Sequence, residues 1–194
     1  PPVHWNELYD NPHWSVVSPR GPRDGRVATR ATTYTREQIE EEAVKAASFG
    51  CQALYLDPGW DTSFGSFVWD AARLGTLETF VRRMREDHGL DVSLHCPLAT
   101  WVASEVHRCD DTGLTTWPAE AARMDSEGRL IPKSLCLGSR QYLDEAARRM
   151  ETLTDAGVRF LMFDGNWWNG GCWNPRHGHP VPYRPADHVE ACVE

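Results

Sequence analysis

Four short apolar runs separated by helical patterns constrain the fold of this chain more than any other feature. The runs lie in the segments HWNELYD, CQALYLD, DVSLHCP and VRFLMFD. Stretches with helical spacing stand between them, at 35–50, 77–88 and 139–156. Near-continuous apolar strands alternate with helices when helices cover a parallel sheet. We therefore predict an α/β fold with a parallel sheet, in which 158–163 forms a fully buried strand.

Local signals place the ends of the helices. Thr35 and Gln38 match a capping box, and Gly50 and Gly89 follow the first two helical stretches as stop signals. A further helix is predicted to begin at Pro185. The stretch 99–137 shows no regular pattern, and loops of that length usually carry function or small elements of their own.

Two carboxylates stand where predicted strands end, Asp57 after the second strand and Asp164 after the fourth. The carboxyl ends of parallel strands meet at one edge of a sheet, where α/β enzymes place their catalytic groups. Paired carboxyl groups are what glycoside hydrolysis requires. The alternative is that Asp164 only closes a turn, because Asp-Gly is also a common turn pair.

Composition limits the classes of partner. A net charge of −8 with scattered basic residues argues against nucleic-acid binding, and no apolar run reaches the ~18 residues of a membrane span. Six widely spaced cysteines favour a reducing compartment such as the cytoplasm. No dinucleotide or phosphate-loop motif is present, so no cofactor is expected. Several of the nine tryptophans follow strand ends and suit stacking on sugar faces, among them Trp5, Trp60, Trp167 and Trp168.

The motifs HWNELYD, LYLDPGWD and RFLMFD, in this order, resemble the catalytic barrel of the glycoside hydrolase clan of α-galactosidases (melibiase-like, families 27 and 36). The resemblance implies that 1–194 is the N-terminal half of a (β/α)8 TIM barrel, a fragment with strands one to four. It implies a retaining glycosidase with Asp164 as nucleophile and with an acid/base residue outside this chain. The 194-residue chain alone would therefore be inactive. Asp57, Trp60 and Trp5 would bind the sugar.

The chain departs from the family pattern at two positions. Pro58 replaces the second Asp of the second-strand pair, and Met162 replaces a Lys two residues before the nucleophile. Both family side chains bind galactose hydroxyls, so the sugar and its anomer stay open. Substitutes could come from His95 and from the loop residues Asn166, Asn169, His177 and His179, and Trp167 and Trp168 stand in that same loop. A non-catalytic carbohydrate-binding relative and a transglycosidase are the alternatives.

Metal-ligand residue types also crowd the C-terminal loop. They are Cys172, His177, His179, His188 and Cys192. Their spacings match no standard zinc motif, and the His-Gly-His segment equally suits a rigid polar turn. We therefore expect no metal, with a zinc-binding α/β domain built on Cys172, His177 and His179 as the alternative. Cys136 is expected to be a small buried hydrophobic residue.

Overall fold

The computed structural model describes residues 2–10, 34–99, 117–164 and 170–193. In these ranges the strands are β1 (His4–Asn6), β2 (Ala53–Leu56), β3 (Asp91–Pro97), β4 (Ala122–Met124), β5 (Leu130–Leu135) and β6 (Phe160–Asp164). The α-helices are α1 (Glu7–Asp10), α2 (Arg36–Ser48), α3 (Ala71–Leu74), α4 (Leu77–His88), α5 (Arg140–Asp155) and α6 (Pro185–Ala191). Two 3₁₀ turns lie at Ala119–Ala121 and Pro175–His177.

A parallel sheet with helices is confirmed. Its strands lie in the order β1-β2-β3-β6, and each pairs in parallel with its neighbour. The register aligns Tyr55 with Ser93, and Ser93 with Phe160. Within the described residues β1 and β6 form the two edges of this sheet.

The two faces of the sheet differ in chemistry because side chains alternate along each strand. Leu54, Leu56, Val92 and Leu94 point to one face and are fully buried in the hydrophobic core, together with residues of the helices. Each such leucine contributes about 1.5–3 kcal/mol through burial of apolar surface. The opposite face carries polar side chains, and it is this face that positions the candidate site.

The helix ends follow the predicted signals. Thr35 caps α2 in a complete capping box with Gln38, and Gly89 ends α4 in the left-handed conformation. Ser139 caps α5 through the backbone N–H of Tyr142. The last helix begins at Pro185, as the sequence indicates. In the described part of the chain no helix is long and apolar enough to cross a membrane.

Two predictions about local structure are wrong. Strand β6 is not fully buried, since Phe160, Met162 and Phe163 are 37%, 40% and 46% exposed. In the described residues β6 pairs only with β3, so its other side meets solvent. The stretch 99–137 is not irregular throughout, because it contains an antiparallel hairpin of β4 and β5. Asp125 closes that hairpin by accepting hydrogen bonds from the backbone N–H groups of Glu127 and Arg129.

Candidate active site

Polar side chains from all four parallel strands share one face of the sheet. The pairing register places Asn6, Tyr55 and Ser93 side by side, and it places His95 beside Met162. Asp57 directly follows β2, and Asp164 is the last residue of β6. The side-chain alternation brings Asp57, His95 and Asp164 to this same face, at the carboxyl end of the strands.

Asp57 is held by the chain around β1. Asn6 Nδ2 donates to Asp57 Oδ2 at 2.8 Å, and the backbone N–H of Asp57 donates to Glu7 Oε1 at 2.9 Å. The hydroxyl of Tyr34 donates to the same Glu7 oxygen at 2.6 Å. Asp57 is only 7% exposed. Its carboxylate therefore has one fixed orientation, which suits a group that positions a ligand.

His95 and Asp164 form a pair at the edge of the sheet. Their Nε2 and Oδ2 atoms lie 3.4 Å apart, with the His95 side chain 5% exposed and the Asp164 side chain 57% exposed. Phe64 stacks on the imidazole with 5.7 Å between ring centroids. Asp164 is thus the accessible member of the pair. The His95 imidazole is held in place by packing, so it approaches the Asp164 carboxylate from one fixed direction.

Tyr55 lies between the acidic groups. Burial raises the pKa of the Tyr55 phenol, and the negative charges of Asp57, Glu7 and Asp164 raise it further. The hydroxyl donates to Met162 Sδ at 3.1 Å. The phenol of Tyr55 therefore stays protonated.

Two of the predicted sugar-stacking tryptophans face elsewhere. Trp5 alternates to the helix side, where its indole N–H donates to Glu42 Oε2 at 2.9 Å and its ring stacks on Phe49. Trp60 is 1% exposed and donates to the backbone carbonyl of His95 at 3.0 Å. Trp60 thereby holds the loop after β2 against β3, and its buried indole presents no face to a sugar.

The remaining predicted sugar-binding residues are Trp167, Trp168 and His177. Trp167 and Trp168 lie outside the described residues. His177 is 5% exposed and belongs to a separate cluster, in which ligand atoms of Cys136, Cys172, His177 and His179 all lie within 4.8 Å of one another. A hydrogen bond with Cys136 lowers the pKa of the Cys172 thiol. His177 thus belongs to a cluster that does not include Asp57, His95 or Asp164.

Sequence reasoning missed Asn6 and Tyr55, and it favoured a solvated position for Glu7, which is buried. Tyr55 precedes Asp57 by two residues, so strand alternation alone could have placed both on one face. Predicting Asn6 as a site residue requires the pairing register between β1 and β2, and no local sequence signal gives that register. Cys136 joins the second cluster from the end of a hairpin that was not foreseen.

The fold defined by these strands and helices is one that solved α-galactosidases share. No family model matches the sequence, and no curated protein matches it. Among solved structures, TtGalA, the α-galactosidase from Thermus thermophilus, matches with a TM-score of 0.65 and 15% identity over 100% of this chain. The α-galactosidase from Lactobacillus brevis matches with a TM-score of 0.69 and 13% identity over 99% of this chain. AgaB, a GH36 α-galactosidase from Geobacillus stearothermophilus, matches with a TM-score of 0.63 and 11% identity over 98%.

The resemblance to α-galactosidases inferred from the three motifs is confirmed at the level of the fold. The chain covers 35%, 24% and 24% of the length of these three proteins. It therefore corresponds to about a quarter to a third of each.

Proposed function

We propose that this chain is part of a retaining glycoside hydrolase of the α-galactosidase type, with Asp164 as its nucleophile. The observation that carries the proposal is the position of Asp164, exposed at the carboxyl end of β6 on the face that also holds Asp57. The similarity to α-galactosidases over the whole chain supports it. Residues 1–194 would be the N-terminal half of a (β/α)8 barrel, and the rest of the barrel would supply the acid/base.

In this mechanism Asp164 attacks the anomeric carbon while the departing oxygen receives a proton from the acid/base. A covalent glycosyl ester forms, and water then hydrolyses it with the same acid/base acting in reverse. An imidazole N–H at His95 Nε2, 3.4 Å from Asp164 Oδ2, would hold the carboxylate in the attacking orientation. Asp57, oriented by Asn6 and Glu7, would accept a hydrogen bond from a sugar hydroxyl.

The position of Met162, which contacts Tyr55, bears on the identity of the sugar. Where the resembling family carries a Lys, the thioether of Met162 accepts a hydrogen bond from Tyr55. A thioether is a weak acceptor and has no proton to donate, so it cannot replace an ammonium group at a hydroxyl. We therefore leave the sugar open and propose α-galactosides as the first class to test, since the TtGalA structures were solved with p-nitrophenyl α-galactoside and with stachyose.

The two departures at Pro58 and Met162 favour a second candidate, a carbohydrate-binding relative without turnover. Two charged partners of a sugar hydroxyl would be missing, and each such hydrogen bond is worth about 1.5–3 kcal/mol. The open position of Asp164 favours the enzyme, because a binding protein has no need for an accessible nucleophile. A transglycosidase uses the same first step and differs only in the acceptor.

The test compares Asp164→Asn with the wild-type full-length protein on a panel of aryl α- and β-glycosides. Loss of a nucleophile is expected to reduce kcat by about 10⁴-fold or more while ligand binding persists. Proton NMR of the first product formed should show the same anomer as the substrate. Asp155→Asn, an exposed acid at the end of α5, is the matched control and should keep full activity.

Three results would overturn the proposal or redirect it. Near-normal turnover by Asp164→Asn removes the nucleophile assignment. An inverted product removes the retaining mechanism. Sugar binding by the wild-type protein with no turnover on any glycoside favours the binding protein, whereas transfer to an added sugar in place of water favours the transglycosidase.

A further inference from the structure

Four metal-ligand side chains converge in a cluster that contains none of the candidate active-site residues. Cys136 directly follows β5, and Cys172, His177 and His179 lie in the segment after β6. One ligand atom from each lies within 4.8 Å of every other, and only His179 is more than slightly exposed. Cys172 is fixed in place because it exchanges two backbone hydrogen bonds with Tyr183, at 2.7 and 2.8 Å.

The hydrogen bonds of the two imidazoles determine which nitrogens face inward. His177 Nε2 lies 2.6 Å from the carbonyl oxygen of Glu120, and His179 Nδ1 lies 2.8 Å from that of Pro180. A carbonyl oxygen only accepts, so each of these outer nitrogens carries the proton. The amide nitrogen of Asn174 also lies 2.9 Å from His177 Nε2, but the shorter contact to the Glu120 carbonyl, at 2.6 Å, requires the proton on this nitrogen.

The inner nitrogens therefore turn toward the sulfur atoms. His177 Nδ1 lies 3.5 Å from Cys172 Sγ, and His179 Nε2 lies 3.3 Å from Cys136 Sγ. In a tetrahedral zinc site, Zn–S bonds of ~2.3 Å and Zn–N bonds of ~2.0 Å place neighbouring S and N atoms about 3.5 Å apart. Ligating histidines typically donate their outer N–H to a backbone carbonyl, as both do here. The separations and the outer hydrogen bonds both suit a metal ion at the centre.

The charge balance also suits a divalent cation. Two thiolates and two neutral imidazoles neutralise Zn²⁺, so the buried site would carry no net charge. Arg123 is buried and donates hydrogen bonds to Ser134 Oγ and to the carbonyl oxygen of Gly170, each two residues before a ligand cysteine. Its positive charge favours thiolates over thiols.

We propose that Cys136, Cys172, His177 and His179 form a structural zinc site. All four positions of the tetrahedron are taken by the protein, which leaves none for water or substrate, so the ion would stabilise the fold without taking part in chemistry. It would join the hairpin of β4 and β5 to the segment that follows β6. The proposal is independent of the glycosidase assignment, because none of its ligands lies in the candidate active site.

The test is metal analysis of the full-length protein purified without chelator or added zinc. We expect about one zinc per chain, lost in Cys172→Ser and reduced in affinity by about 100-fold or more in His179→Gln. Cys51→Ser, which removes a free cysteine outside the cluster, is the matched control and should keep its zinc. Replacement by Co²⁺ should give the intense visible bands of a tetrahedral ion and a thiolate-to-cobalt charge-transfer band.

The cobalt spectrum needs no variant, so it decides the matter even if Cys172→Ser fails to fold. Protein that binds neither zinc nor cobalt would overturn the proposal, as would zinc retained in both Cys136→Ser and Cys172→Ser. A Cys136–Cys172 disulfide in the protein as purified, detected by mass spectrometry as the loss of two hydrogens, would also overturn it if the reduced protein binds no zinc.

Discussion

Asp61 provides a pH-dependent test of how this chain buries charge. It lies in the loop after β2, 2% exposed, and its Oδ2 atom accepts from the backbone N–H of Ser66 at 3.0 Å. Its Oδ1 atom has no hydrogen-bond partner in the described residues. Burial raises the pKa of this carboxyl group to about 7 from its usual 3.8. Between these two pH values Asp61 therefore keeps its proton in the folded protein, whereas the same carboxyl group has lost its proton in the unfolded chain.

The sign of the effect on stability follows from that difference. Because the pKa of Asp61 is raised in the folded state, its contribution to the free energy of unfolding is largest below pH ~4. This contribution falls as the pH rises toward 7 and is constant above that pH. Each pKa unit corresponds to about 1.4 kcal/mol, so the whole window is worth about 4 kcal/mol. Between pH 5 and pH 7 the contribution of Asp61 should fall by about 2 kcal/mol.

The assay compares urea unfolding of the wild type and of Asp61→Asn at pH values from 5 to 8. The amide does not ionise, so subtracting the two curves isolates Asp61 and cancels the other titrating groups. The difference should move by about 2 kcal/mol in favour of the variant as the pH rises from 5 to 7. Asp155→Asn should give no such slope. A difference that stays constant to within about 0.5 kcal/mol would refute the claim that Asp61 is buried with a raised pKa.

Three further substitutions test the fold. Thr35→Ala removes the cap of α2 and should lower the free energy of unfolding by about 1 kcal/mol in denaturant titrations, whereas an unchanged midpoint would count against the capping box. Leu54→Ala leaves a cavity beneath the helices and should cost about 2–5 kcal/mol in the same assay; a loss below about 1 kcal/mol would contradict its burial. Gly138→Ala would bring a Cβ within 2.5 Å of His179 Cδ2, so zinc affinity measured by chelator competition should fall by about 10-fold or more. Unchanged affinity would show that this packing does not hold His179.

Much of the sheet could be predicted because its signals are local. Apolar runs, a capping box and glycine stops identify β2, β3 and the ends of α2 and α4 within a few residues of sequence. The burial of β6 could not be predicted in this way. Its apolar run is typical of a strand covered on both sides, but coverage depends on which strands lie beside it, and β6 is an edge here.

The candidate site shows the same division between local and long-range information. Asp57 and Asp164 share a face because strand alternation and parallel pairing dictate it. The sequence could not distinguish Trp60 from a surface aromatic residue. Its buried position involves a hydrogen bond from the indole N–H to the backbone carbonyl of His95, which lies on another strand. Cys136 and Cys172 are brought together only by the folded hairpin, and spacing rules for metal motifs do not reach that far.

The ring of acids around Tyr55 has a consequence for the choice of substrate. Glu7, Asp57 and Asp164 bring three carboxylates to a small area that His95, even when protonated, offsets by one charge. Uronic acids and sulfated sugars would meet electrostatic repulsion there, whereas amino sugars would be attracted. Raising the ionic strength should weaken this discrimination, because the Debye length shortens to about 3 Å at 1 M salt.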